Sequence, residues 1–128
     1  MKKTILIFIS LILLSNWIAV HAENMADQKV DSELKTIWRE MTNRLIEKDI
    51  EGALGYFAYS SREKYREQFS VIGDKLPMVF AGMRDIESVY IKDNEAKYRV
   101  RIKDASGGHT GYIWFRKDMS GRWKIEKF

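Results

Sequence analysis

Ala96-Lys97-Tyr98-Arg99-Val100-Arg101-Ile102-Lys103 alternates apolar and cationic side chains without a break. Successive side chains of a strand point to opposite faces. The run therefore puts Ala96, Tyr98, Val100 and Ile102 on one face and Lys97, Arg99, Arg101 and Lys103 on the other. Burying four unpaired cations is prohibitive, so the cationic face is wet and the apolar face belongs to the core. Period two extends in both directions. Upstream, from about Asp85, Glu87, Val89 and Ile91 alternate with Ser88, Tyr90 and Lys92, and Asp93-Asn94 marks the turn between the runs. Downstream, Asp104 to Gly108 is a turn, Thr110 to Lys117 a strand, Asp118-Met119-Ser120-Gly121 a turn and Arg122 to Phe128 a closing strand. Ile113, Phe115, Trp123 and Ile125 face inward in this register; Tyr112, Trp114 and Arg116 face outward beside the cations.

Before Asp85 the period is helical. Val30, Leu34, Ile37, Trp38, Met41, Leu45 and Ile46 recur at three- and four-residue steps, which predicts a long amphipathic helix. Asp49 caps a short second helix with Ala53, Leu54 and Phe57 inward. Ser60 and Glu63 have the spacing of a capping box that opens a third helix carrying Tyr65 and Phe69. Asp74 is expected to cap a fourth, with Pro77 in its first turn, where a missing amide costs nothing. Helices first and an antiparallel meander afterwards predict an α+β domain, with the N-terminal helices packed on one face of a four-stranded sheet.

The N-terminus has the order of a bacterial-type secretory signal. Lys2 and Lys3 precede an apolar run from Ile5 to Leu14, and Val20-His21-Ala22 offers small or modest residues at a cleavage site. Ile5 to Val20 gives sixteen positions, three of them polar, against the roughly 20 that a spanning helix needs. Residues 1–22 are therefore expected to be cleaved, giving a periplasmic or secreted protein. Residues 23–29 are polar and read as a flexible leader, and 30–128 as a single domain. The chain has no cysteine, hence no thiol for a lipid tether, a disulfide or a thiolate metal site, and no stable membrane anchor is expected after cleavage. The signal takes two lysines with it. The remaining 106 residues carry 20 basic against 18 acidic side chains, a net charge of +2 that argues against nucleic acid as the partner.

The stretch from Trp38 to Phe57, with Asp49-Ile50-Glu51, Ala53-Leu54 and Tyr56-Phe57, the segment Ser61-Arg62-Glu63-Lys64-Tyr65-Arg66, and the ending Gly121-Arg122-Trp123-Lys124-Ile125 resemble the nuclear-transport-factor-2-like superfamily. This resemblance covers nearly all of the mature domain. It implies a curved, cone-like (cystatin-like) sheet with the helices packed on one face. It also implies a frequent habit of pairing through the outer sheet surface, and, in the enzymes, a carboxylate with a tyrosine inside the cone. One departure is expected. Where the family often has a strand hairpin, Tyr59 to Gly73 reads as helix, so a cavity would be smaller or differently closed. The superfamily hosts enzymes, binding modules and dimerisation domains, so the resemblance implies a fold and leaves the function to the site.

Two groups of residues are candidates. Trp38, Tyr56, Tyr59, Tyr65, Glu87 and Tyr98 are placed where a pocket for a small apolar ligand would form, although core packing is the commoner fate of such aromatics. Lys97, Arg99, Arg101, Lys103, Tyr112, Trp114 and Arg116 form an outer face. Its readings are a protein-partner or homodimer surface, a solvated face that discourages edge aggregation, and a surface for an anionic ligand. No catalytic residue is assigned. No inward strand position is a carboxylate except Glu87 at the rim, which argues against an isomerase- or dehydratase-like enzyme. His109, read as lying in a turn, is the only histidine after the signal, so neither a histidine metal pair nor a cofactor site is expected.

Overall fold

The computed structural model describes residues 24–128, the side chain of Asp104 excepted. The expected signal segment 1–22, and Glu23, lie outside the described residues. The elements are α1 (Lys2–Ile46, described from Asn24), α2 (Ile50–Leu54), α3 (Arg62–Ile72), α4 (Leu76–Ala81), β1 (Ile86–Ile91), β2 (Glu95–Asp104), β3 (Gly107–Lys117) and β4 (Trp123–Lys127). The strands form one curved antiparallel sheet in the order β1-β2-β3-β4, open at both edges. The fold is α+β, and the helices and the inward sheet residues share one core.

The stripe of α1 behaves as its spacing dictates. Leu34, Trp38, Met41 and Leu45 are fully buried, and the Trp38 indole N–H donates to the Met83 carbonyl at 2.7 Å, fastening α1 to the end of α4. Thr42, buried on the same helix, donates to the Arg39 carbonyl at 3.0 Å, so its hydroxyl is satisfied. After α1, Lys48 takes φ 62°, a left-handed conformation more often given to glycine, and the Asp49 amide bonds back to the Arg44 carbonyl at 2.8 Å. Asp49 caps α2 as expected, accepting from the Gly52 amide at 2.9 Å. The chain then runs along β4: the Ala58 amide donates to the Ile125 carbonyl and the Ile125 amide to the Tyr56 carbonyl, covering part of the β4 edge.

Two helix starts differ from expectation. The Ser60–Glu63 capping box does not form. Tyr59–Ser61 is a 3-10 turn, the cap position falls to Ser61, and its hydroxyl donates instead to the Glu126 carbonyl at 2.6 Å. Glu63 pairs with Arg66 at 2.6 Å. Asp74 does not cap α4 either. It sits in the 3-10 turn Gly73–Lys75 and pairs with Lys48 at 3.1 Å. Glu63 is thus taken by its neighbour Arg66, and Asp74 by the distant Lys48. Pro77 does lie in the first turn of α4. Asn24–Lys29, read as a flexible leader, are an exposed part of α1, since a helix already stabilised by packing extends without burying anything further.

The phase of β2 and β3 is as expected. Ala96, Tyr98, Val100, Ile113 and Phe115 are buried, and Trp123 and Ile125 join them from β4. The phase of β1 is corrected. Ser88 pairs with Tyr98 and Tyr90 with Lys97, so Val89 is an extra residue, a bulge that reverses the alternation. Ile86, Ser88 and Ile91 lie on the helix side, whereas Glu87, opposite Arg99, lies on the outer face. A second irregularity, with Trp114 opposite Lys127 and Phe115 opposite Ile125, makes Glu126 the extra residue of β4. It turns Lys127 outward and lets Phe128 enter the core. The β2–β3 turn is tighter than expected, so His109 is an exposed β3 residue opposite Ile102 rather than a turn residue.

Candidate functional site

The six pocket candidates are not brought together. Trp38, Tyr65 and Tyr98 are core residues. The space they would have lined is taken by Phe128, whose ring stacks on Tyr65 (5.0 Å between centroids), meets Trp38 edge-on (5.2 Å) and lies near Phe57 and Phe80 (6.1 Å each). The Tyr65 hydroxyl accepts from the Phe128 amide at 2.8 Å and donates to its carbonyl oxygen at 3.2 Å, holding the residue in place. Tyr56 is half-buried beside Arg44, in a depression of about 450 Å³ with Glu40, Asn43 and Glu47. Tyr59 is 86% exposed under the Arg62 guanidinium, and Glu87 is on the opposite side of the sheet.

A carboxylate–tyrosine pair does exist, from a residue that the sequence did not single out. The buried Tyr98 hydroxyl donates to Asp31 of α1 at 2.5 Å, and Asp31 also pairs with Lys35 at 3.1 Å. Burial, with the Asp31 carboxylate second, drives the Tyr98 hydroxyl to remain protonated far into alkali. Its proton is committed to Asp31, which ties α1 to the sheet. A shallow depression of about 290 Å³, lined by Asp27, Gln28, Asp31, Ser88 and Ile91, lies alongside. Among the described residues no group of three His, Asp or Glu side chains is gathered to hold a metal ion.

The outer-face candidates are brought together. Lys97, Arg99, Arg101 and Lys103 share the outer side of β2, and the register sets Trp114 beside Lys97 and Tyr112 beside Arg99. The Lys97 ammonium lies over the Tyr112 ring at 4.5 Å and the Trp114 ring at 5.3 Å, and Lys127 lies over Trp114 at 4.6 Å. A cation over an aromatic face is attracted by the ring's negative quadrupole. The two rings therefore hold two ammonium groups in place. Tyr112 is 43% exposed and Trp114 half-buried between the lysines.

Beyond Lys97, on β1, the Tyr90 hydroxyl donates to Glu95 at 2.5 Å. That bond, aided by Lys92, Arg116 and Lys127, holds the Glu95 carboxyl below its ordinary range, so it stays ionised. Arg116 pairs with Glu126 at 3.3 Å. Lys127, Tyr90 and Glu95 are members of this surface that the sequence did not reveal. Lys127 reaches it only through the Glu126 bulge, for which the sequence carries no signal. Gly108, directly beside the cation row, leaves room for the Arg101 guanidinium, which lies 3.5 Å from where a β-carbon would sit.

On the helical side, part of the charge is spent on carboxylates. Arg66 bridges Glu51 (2.8 Å) and Glu63 (2.6 Å), and the Arg66 bond holds the Glu51 carboxyl below its usual range. Among the described residues no helix is long and apolar enough to cross a membrane. Comparison of the chain with protein-family models and with curated proteins finds no match.

Proposed function

We propose that the protein is an exported, non-catalytic interaction module, and that the outer face of its sheet is its contact surface. The observation that carries this reading is the Tyr112–Trp114 pair, placed outward at the middle of the sheet with Lys97 and Lys127 on the ring faces. Aromatic area with fixed cations at its rim is the composition of a contact surface. The inner face offers less, because Phe128 and its aromatic neighbours occupy it. Export is supported by the charged, apolar and small-residue order of residues 1–22. Membership of the nuclear-transport-factor-2-like superfamily is supported by the helices-then-meander order and the closing Gly121-Arg122-Trp123-Lys124-Ile125 segment.

Trp114→Glu tests the reading. The new charge sits among Tyr112, Lys97 and Lys127 without entering the core, so circular dichroism should report an intact fold, while sedimentation and partner capture should report lost association. Unchanged association would remove the outer face from consideration. The alternative for the same fold, a small apolar-ligand pocket or an isomerase- or dehydratase-like enzyme, has the Tyr98–Asp31 pair and its neighbouring depression in its favour. Loss of ligand binding or turnover in a folded Tyr98→Phe protein would select it.

A further inference from the structure

We propose that the partner of the outer face is an anionic lipid bilayer. This rests on the reading of that face as the binding surface and names what it binds.

Charge supplies the first reason. The outer face presents the β2 row Lys97, Arg99, Arg101 and Lys103 with Arg116, Lys124 and Lys127, seven cations against three carboxylates, Glu87, Glu95 and Glu126. Two of the carboxylates are engaged within the face, Glu95 by Tyr90 and Glu126 by Arg116. Among the described residues Lys97, Arg99, Arg101 and Lys127 make no ion pair; on the helical side Lys35, Arg44, Lys48 and Arg66 are paired with carboxylates, while Arg39, Lys64 and Lys75 are not. The outer face nevertheless carries a larger positive surplus than residues 23–128 taken together, whose net charge is +2.

Shape supplies the second. The cations are spread over three neighbouring strands, with Arg116 also at a shallow depression beside Glu95 and Asp118. Along β2 alone the row covers about 20 Å, at ~3.4 Å per residue. The complement of such an array is an extended sheet of negative charge. Tyr112 and Trp114 then have a defined place. Amphipathic rings settle at the headgroup level of a bilayer, and lysines send ammonium groups to the phosphates from the same depth. Here the ammonium groups of Lys97 and Lys127 already lie on those rings. A second copy fits less well. Twofold pairing sets a surface against itself, and the row of Lys97 to Lys103 would meet its own charge.

The test is flotation of the full chain, as purified from its host, with vesicles of phosphatidylcholine alone and with vesicles rich in phosphatidylglycerol. Comparing the two cancels any contribution from the apolar N-terminal run. Binding is expected only to the anionic vesicles, weakening as salt shortens the screening length. Each basic residue near an anionic surface contributes about fivefold in affinity, so Arg99→Glu combined with Arg101→Glu should weaken binding on the order of a hundredfold or more. Lys75→Glu, on the helical side, should leave it unchanged. Equal binding to both vesicle types, or binding indifferent to the Arg99 and Arg101 reversals, overturns the proposal. So does capture of heparin, or self-association, by a protein that ignores anionic vesicles. If anionic vesicles go unbound while Trp114→Glu still abolishes association, the face stands and the lipid does not; if neither responds, both fail.

Discussion

Replacing Phe128 by Ala removes a side chain at the meeting point of the two halves of the core. Its ring approaches five others, stacked on Tyr65 at 5.0 Å and edge-on to Trp38 at 5.2 Å, with Phe57, Phe69 and Phe80 between 6.1 and 6.4 Å. The main-chain bonds to the Tyr65 hydroxyl survive the substitution, so the loss is that of the ring alone. A Phe→Ala change in a core costs about 3–5 kcal/mol, and because Phe128 is only half-buried the lower end applies, about 3 kcal/mol. For a domain of this size each kcal/mol moves the melting midpoint by about 4–8 °C, so a fall of roughly 12–24 °C is expected. Phe128→Leu keeps most of the volume and should cost less than about 1.5 kcal/mol. Differential scanning calorimetry of the three proteins, with circular dichroism as the check on fold, gives the comparison. A Phe128→Ala protein melting within a degree or two of the parent would refute the assignment of this ring as the filling of the inner face.

Three further outcomes follow from individual contacts. Tyr98 and Tyr65 have their ionisation pushed up chiefly by burial, so unfolding above about pH 10 releases protons that the native state keeps. Stability should therefore hold below pH 10 and fall as pH rises beyond it in urea titrations, and Tyr98→Phe should lessen the fall while costing about 1.5 kcal/mol at neutral pH through the lost bond to Asp31. Lys48→Gly relieves a left-handed backbone at φ 62° and gives up only an exposed pair with Asp74; against the extra freedom of glycine in the unfolded chain it should gain about 0.5–1 kcal/mol in chemical denaturation. Asp118 accepts from the Ser120 hydroxyl and the Ser120 and Arg122 amides, which lowers its pKa, so Asp118→Ala should reduce the melting midpoint at neutral pH, with the difference disappearing as pH falls through the native carboxyl's depressed range.

What the sequence made legible was whatever is enforced over several residues at once. Four cations in alternate positions set the phase of β2, and β3 had to follow, so Lys97, Arg99, Tyr112 and Trp114 could be placed together on the outer face. The stripe of α1 was likewise repeated often enough to survive any single ambiguity. Single insertions erased the signal elsewhere. The bulge at Val89 reversed β1, moving Glu87 from an expected pocket rim to the outer face, and the extra Glu126 sent Lys127 out and Phe128 in. Local rules also lost to distant partners. Ser61 found the Glu126 carbonyl, Asp74 found Lys48, and Asp31 found Tyr98 from sixty-seven residues away. Such pairings depend on where the helices come to rest on the sheet, which side-chain periodicity does not encode.

Hydroxyl-radical footprinting of the protein in its host cells and after purification asks most directly whether the outer sheet face is the one in use. Tyr59, 86% exposed on the helical side, is the internal standard, and Tyr112 with Trp114 reports the sheet. An interaction face predicts that Tyr112 and Trp114 oxidise more slowly in the host cells than in the purified protein while Tyr59 is unchanged. Protection of Tyr59, Val71 and Met78, with Tyr112 and Trp114 oxidised equally in both settings, would contradict it and move the functional surface to the helices.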